Sequence, residues 1–269
     1  MKTSASVSVQ YASGFSPFLP ERFPEALEWA AGCGFDGVEL IVLAPRLLDV
    51  KSIRAQVAER DLAVSAISTG LAAWLEGLSM TSISPRIRRA TRKRLCEDMD
   101  FAAELGGARV TIGSIRGAGG EKPARDELKL LQQELSFLAD CARERGIVLN
   151  LEPINRYETS LLNTTDSALA LLDEMGNPDA VGILYDTFHS NIEDVDMIEA
   201  IRTCGGRLSH VHLADSNRRL PGEGHVDFAR IIAALREIGY DGFVSLETLC
   251  APSPEHVIAH AKGRIAVLV

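Results

Sequence analysis

The sequence predicts an α/β chain folded as a single (β/α)8 barrel across residues 1–269. Three observations carry this prediction. Short β-branched runs alternate with longer segments whose apolar residues recur at i, i+3 and i+4, and the alternation completes eight rounds. The join GFDGVEL at 34–40 recurs as GYDGFVSLE at 239–247: glycine closes a helix, an aromatic packs down and a strand follows. No GxGxxG follows the first strand and no GxxxxGK ending in Ser or Thr occurs, so the rival open nucleotide-binding sheet lacks its usual signature.

The eight strands are expected at 5–10, 37–41, 63–68, 108–112, 148–152, 181–185, 208–213 and 242–247. Phe23, Leu27 and Ala31 line one face of the first helix, and Gly34 supplies its left-handed cap. After the third strand, Leu71, Trp74 and Leu78 form an apolar stretch able to cover the barrel mouth and exclude water; ordinary loop packing is the alternative. Ser84 and Pro85 read as an N-cap followed by proline at N1. The basic run 86–94 on that helix reads as a solvated outer face or a subunit salt-bridge surface rather than a nucleic-acid contact. The glycines at 117–120 read as a flexible loop. Leu128, Leu131, Leu135 and Leu138 stripe the next helix, and Leu169, Leu172 and Met175 the one before the sixth strand. Phe228, Ile231, Ile232 and Leu235 stripe the helix before the eighth.

With 28 basic against 37 acidic side chains the net charge is −9, which disfavours a protein built to grip a phosphate backbone. Cys33, Cys96, Cys141, Cys204 and Cys250 form no CxxC or zinc-ribbon spacing and read as reduced thiols. The first ten residues lack the apolar core of a secretory signal, and no run of 18 apolar residues occurs. A cytoplasmic protein without a membrane span is the expectation.

Polar residues close five of the eight runs: Glu39, Glu152, Asp186, His212 and Glu247. In such a barrel the C-terminal strand ends share one face, so residues far apart in sequence meet there. Several carboxylates buried together need a compensating cation or proton. Glu152, Asp186, His212 and Glu247 offer three oxygens and one imidazole, a set that suits Mn2+, Mg2+, Co2+ or Zn2+. A metal chelating a carbonyl and an adjacent hydroxyl acidifies the C–H between them. Glu152 and Glu247, one on each side of that carbon, could take and return the proton. His189, three residues after Asp186, could donate to the substrate carbonyl; Arg218 could neutralise an oxyanion; Glu158 could accept from a terminal hydroxyl. Arg116 could bind a phosphate, a carboxylate or a sugar hydroxyl at the substrate tail, or form a loop salt bridge. His210 shares the strand face of His212 and reads as a supporting group or a core histidine.

The motifs LEPINRYE (151–158) with LLNT, GILYDTFHSNIE (182–193), HVHLADSNRRLPGEGHVDF (210–228) and GYDGFVSLE resemble the xylose-isomerase-like TIM-barrel superfamily. Within it they are similar to ketose 3-epimerases of the D-tagatose/D-psicose (allulose) type. The resemblance covers essentially the whole chain. It implies manganese or a similar ion on Glu152, Asp186, His212 and Glu247, with the two glutamates exchanging the proton at C3 through a cis-enediolate. It further implies contacts from His189 and Arg218 to O2 and from Glu158 to O1, a sugar substrate, and a homodimer or homotetramer. Relatives with similar cores include aldose–ketose, hydroxypyruvate and inosose isomerases, sugar-phosphate epimerases, and enolate-forming dehydratases or lyases. A phosphorylated ketose, an inosose or a sugar acid therefore stays open as the substrate. Endonuclease IV shares the superfamily, but it gathers several metals through many more histidines than the six present here. The chain departs from the epimerase pattern in GSIRGAGGEKPA (113–124) and in its opening SVQYASGFSPFLPERFP, where aromatic substrate contacts do not map.

Overall fold

A computed structural model describes residues 1–120 and 124–265. Its elements run β1 (Lys2–Ser8), α1 (Phe23–Cys33), β2 (Gly37–Ile41), α2 (Val50–Ala58), β3 (Ala63–Ser68), α3 (Gly70–Glu76), α4 (Pro85–Glu104) and β4 (Arg109–Ile112). They continue with α5 (Ala124–Arg145), β5 (Leu149–Leu151), α6 (Thr165–Glu174), β6 (Val181–Asp186), α7 (Thr187–Glu193) and α8 (Met197–Cys204). The last are β7 (Leu208–Leu213), α9 (Phe228–Glu237), β8 (Phe243–Leu246) and α10 (Pro254–Ile265). Every strand pairs in parallel with the next, and β1 pairs with β8, so the sheet closes into the expected barrel.

Strand ends differ from expectation for local reasons. The first strand starts earlier because Lys2–Ala5 pair with Phe243–Leu246. It also stops earlier: Gln10 turns its side-chain oxygen to the backbone N–H groups of Leu43 (2.9 Å) and Ala44 (2.8 Å), leaving the ladder. The fifth strand ends before Pro153, which has no N–H to donate. Gly34 adopts φ +86° at the end of α1, as a left-handed cap requires. Ser84 precedes Pro85 at the start of α4, yet its hydroxyl makes no capping bond.

Two cores result. Leu27, Val38, Leu40, Leu95, Leu131, Leu135, Leu172 and Leu235 belong to the apolar cluster of strands and helices. The lumen is polar: Ser6 lies beside Glu39, Ser245 beside His212, and all four are buried. The basic run of α4 is a salt-bridged face. Arg88 and Arg92 meet the buried Glu134 of α5, and Arg94 meets Glu76 at 2.9 Å. All five cysteines are free. Among the described residues no helix is long and apolar enough to cross a membrane.

Candidate metal centre and active site

Four strand ends deliver four side chains to one place. Glu152 follows β5, where its backbone N–H still donates to Ile112 on β4 (3.2 Å). Asp186 ends β6 and caps α7, one oxygen accepting from the N–H groups of Phe188 (2.7 Å) and His189 (3.4 Å). His212 lies inside β7, and Glu247 follows β8. The Nδ1 of His212 is 3.7 Å from Glu152, 3.7 Å from Asp186 and 3.5 Å from Glu247, and one ligand atom from each residue lies within 4.8 Å of the others. A side chain at 113 would collide with Glu152, so glycine there leaves the carboxylate its place.

Two atoms of this cluster, Asp186 Oδ2 and His212 Nδ1, are buried without a hydrogen-bond partner. Buried polar atoms are rarely left so, and each deserves a cause. Both face the shared space between the carboxylates. A divalent cation there would satisfy an imidazole nitrogen and three carboxylate oxygens at once, so the residues fit a metal ion.

The other edge of the His212 ring explains its orientation. Its Nε2 lies 3.1 Å and 3.2 Å from the two oxygens of Glu39, and His210 Nε2 is 2.9 Å from the same carboxylate. Glu39 therefore fixes His212 as the Nε2–H tautomer, leaving the Nδ1 lone pair for a metal. Burial alone would raise the Glu39 carboxyl, but the charge and hydrogen bonds of His212 and His210 hold it well below the usual range. Burial alone would likewise lower His212, yet Glu39 and Glu247 pull it well above an ordinary imidazole. Asp186 is held down despite burial by His189, His212 and Arg218. Glu247 behaves oppositely: burial, with Glu152 and Asp186 adding, pushes it up to about 7 against the pull of His212 and Arg218. In the metal-free protein protons thus gather where a cation would sit.

Around this centre the structure brings in His189, Arg218, Glu158 and Trp74. His189 is buried, with Nε2 3.8 Å from both Glu152 and Asp186. The side-chain nitrogen of Asn155 approaches His189 Nδ1 at 2.8 Å and donates to Glu158 at 2.9 Å. The Asn155 oxygen accepts from Tyr157 N–H (2.9 Å), which fixes the amide. His189 Nδ1 is therefore the acceptor, and the proton sits on Nε2, facing the site. Arg218, at φ +59°, reaches Glu247 (3.0 Å) and Glu158 (3.1 Å) between the rings of Phe15 and Phe188, each 4.7 Å away. Trp74 stands on α3 with 57% of its surface exposed, at the rim.

Arg116 is placed differently. It is fully buried in a short 3-10 turn, donating to the carbonyls of Gly113 (3.1 Å), Leu161 (2.9 Å) and Leu162 (3.0 Å). Burial pulls it down to about 10 although Glu152 and Glu158 oppose the shift. It staples the loop after β4 to the loop after β5.

Sequence reasoning placed Glu39 and His210 but gave Glu39 no role, and it missed Asn155 and the Phe15/Phe188 clamp. Glu39, expected to close the second strand, lies instead in the middle of β2 (Gly37–Ile41), two residues short of the strand end, which is why it meets His212 from the far side of the ring. Asn155 carried only its place within LEPINRYE.

Residues 27–266 match the family described as xylose isomerase-like TIM barrel. An L-ribulose 3-epimerase of Methylomonas sp. is 36% identical over 227 residues, covering 83% of this chain and 77% of that protein. A ketose 3-epimerase of Arthrobacter globiformis is 37% identical over 217 residues, covering 80% and 73%. Among solved structures, an L-ribulose 3-epimerase superposes with TM-score 0.81 at 30% identity, covering 97% of this chain and 86% of the other. The chain belongs to the xylose isomerase-like TIM-barrel family and is closely related to its L-ribulose and D-psicose 3-epimerases.

Proposed function

We propose that this protein is a divalent-metal-dependent epimerase that inverts C3 of a ketose through a cis-enediolate. The observation that carries this reading is the gathering of Glu152, Asp186, His212 and Glu247 around one space, with two of their buried atoms unpartnered. The four would hold the ion, and manganese is the proposed one on the resemblance of the motifs. A bound ion supplies a Lewis acid for the negative charge that develops on the substrate oxygens.

Glu152 and Glu247 stand on strands three places apart around the barrel, so their carboxylates approach the substrate carbon from different sides. One removes the C3 proton and the other returns a proton to the opposite face. Arg218 holds Glu247 through its 3.0 Å pair and presents positive charge to an oxyanion at O2. His189, protonated on Nε2, donates to the same oxygen. Glu158 accepts from the O1 hydroxyl, and Trp74 covers the bound sugar. Arg116 shapes the wall on which the substrate tail rests. A homodimer or homotetramer in the cytoplasm completes the proposal; light scattering in solution measures the first.

Ketoses incubated in deuterium oxide with the metal-loaded enzyme test the chemistry. Deuterium enters at C3 of the product first and reaches the substrate as the reaction reverses, and no aldose forms. Glu152→Gln and Glu247→Gln each lower this exchange by about 10²–10⁴-fold, the usual range for a lost acid–base group, with the fold retained by circular dichroism. Wild-type exchange in both variants would sink the two-carboxylate mechanism, and an aldose product would replace epimerase by isomerase.

A further inference from the structure

Arg218 sits on the loop 214–227 between β7 and α9, and its two ends are held differently. The guanidinium is fixed from outside the loop. Glu247 and Glu158 pair with it, and Phe15 and Phe188 clamp its faces. Its buried Nε has no partner, which leaves one N–H for a substrate oxygen. The backbone stands at φ +59°, a conformation that residues with side chains seldom adopt and that surrounding contacts must impose. Its N–H donates to the carbonyl of Asp215 (2.7 Å), and its own carbonyl accepts from Leu249 N–H (2.7 Å).

The Asp215 side chain organises the rest of the loop. It is fully buried; Oδ1 accepts from the N–H groups of Ser216 (2.7 Å) and Val226 (3.1 Å), and Oδ2 from that of Gly222 (2.7 Å). One carboxylate therefore joins the beginning of the loop to its end. Burial alone would raise this carboxyl, but these N–H groups, with that of Gly224, hold it below the ordinary range, so it stays an anion able to serve several donors. Position 224 must be glycine for the same reason: a Cβ there would lie 2.3 Å from Asp215 Oδ1. The Asp215 N–H closes the turn by donating to the Arg219 carbonyl (2.9 Å).

The metal ligand upstream is insulated from this arrangement. Ala214 pairs twice with Thr187 at the start of α7: its N–H donates to Oγ1 (2.9 Å), and its carbonyl accepts from the same hydroxyl (2.7 Å). That pair anchors the exit of β7 between His212 and Asp215. Loss of the Asp215 carboxylate loosens the loop beyond the anchor and leaves Glu152, Asp186, His212 and Glu247 in place.

We propose that Asp215 is a positioning residue for the epimerisation: its buried carboxylate sets the loop that presents the Arg218 guanidinium to the developing oxyanion. This rests on the reading of Arg218 as the partner of O2. The test is a double-mutant cycle on the metal-loaded enzyme, read as C3 epimerisation of the fastest substrate in a panel of ketopentoses and ketohexoses. Arg218→Ala lowers kcat about 10²–10³-fold, the range for a lost oxyanion donor. Asp215→Ala lowers kcat about 10–100-fold with KM within about threefold, because the contact it misplaces strengthens only in the transition state. In the Arg218→Ala background the same substitution costs at most about twofold. Mn2+ affinity of Asp215→Ala, by calorimetry, stays within about twofold of wild type. Asp215→Asn keeps the size and one acceptor oxygen, and its kcat falls between wild type and the alanine variant. Should the alanine variant lose its fold by circular dichroism, the same outcomes are read from Asp215→Asn. Wild-type kcat without the carboxylate, an equal loss with and without Arg218, or a loss of Mn2+ affinity that matches the loss of activity would overturn the positioning role and leave the epimerase reading standing. Arg218→Ala at wild-type kcat, or no C3 exchange in any ketose, would remove the reading and the proposal together.

Discussion

His212 sits between two carboxylate clusters built from the same residue types, and they are chemically opposite. Toward the barrel floor, Glu39 binds His212 and His210, and both its oxygens are used. Toward the mouth, Glu152, Asp186 and Glu247 surround Nδ1, and atoms are left unpartnered. By geometry alone Glu39, His210 and His212 could also hold an ion. Hydrogen-bond accounting decides against it. In the lower cluster the two Nε2 atoms and both Glu39 oxygens satisfy one another, and the one unpartnered atom, His210 Nδ1, is on the other edge of its ring from the carboxylate; in the upper one the unpartnered atoms, Asp186 Oδ2 and His212 Nδ1, belong to the shared space, where a cation satisfies three carboxylate oxygens and a nitrogen together. The lower cluster orients and the upper one binds.

The largest expected contrast comes from mutating one carboxylate in each. Asp186→Ala removes a ligand and lowers Mn2+ affinity beyond detection by calorimetry at millimolar metal. Glu39→Gln keeps size and one acceptor, and lowers affinity by about 10–100-fold, the range for a lost partner behind a ligating histidine. Equal losses in the two variants would place Glu39 in the metal shell. No loss in Glu39→Gln would strip the lower cluster of its orienting role.

Proton competition sharpens the same contrast. Glu247 is pushed up to about 7 in the metal-free protein, and a ligand must be deprotonated. Metal binding below about pH 7 therefore expels a proton from Glu247, in addition to the proton that His212 gives up, and Mn2+ affinity falls as pH falls. Calorimetry in two buffers of different ionisation enthalpy counts these protons; affinity independent of pH between 5.5 and 8 would contradict the assignment. Stability follows the sign of the shift. A carboxyl raised on folding contributes stability fully present below its unfolded pKa and lost as pH rises through about 7. Asp186 and Glu39, both held down, act in the other direction, contributing above the unfolded carboxylate pKa and losing it only in acid. The melting temperature gained on adding Mn2+ thus widens as pH rises from 5 to 8.

These two clusters also separate what a sequence displays from what it conceals. Residues that end strands are visible, because an apolar run stops at a charge; Glu152, Asp186, His212 and Glu247 were legible that way, as was the barrel that joins them. The bond from Glu39 to His212 spans 173 residues and crosses the lumen. It depends on strand register, including the shifts at Val38/Glu39 and Ile183/Leu184, which no local pattern encodes. Arg116 shows a different limit. Its position after the fourth strand was readable, but whether a guanidinium faces a ligand or its own backbone depends on where the loop at 161–162 returns. Gln10 shortened the first strand for a similar reason, finding its partners on the next loop.

The smallest effect belongs to Asn155, which touches neither cluster and holds two groups beside the upper one. Its amide nitrogen serves both His189 and Glu158, and its buried position leaves no water to replace it. Asn155→Ala removes a neutral hydrogen bond to His189, about 0.5–1.5 kcal/mol, and one to the Glu158 carboxylate, about 1.5–3 kcal/mol; the part of this lost from the transition state lowers kcat/KM about tenfold while Mn2+ affinity holds. Asn155→Asp is the sharper probe. It places an acceptor opposite His189 Nδ1, draws the proton to that nitrogen and leaves Nε2 without a proton to donate to the substrate. Its loss exceeds that of the alanine variant although more atoms are kept, and the ring nitrogens of His189 exchange their ¹⁵N chemical shifts. If the aspartate variant is the more active of the two, His189 does not act as a donor, and its place beside the carboxylates is structural.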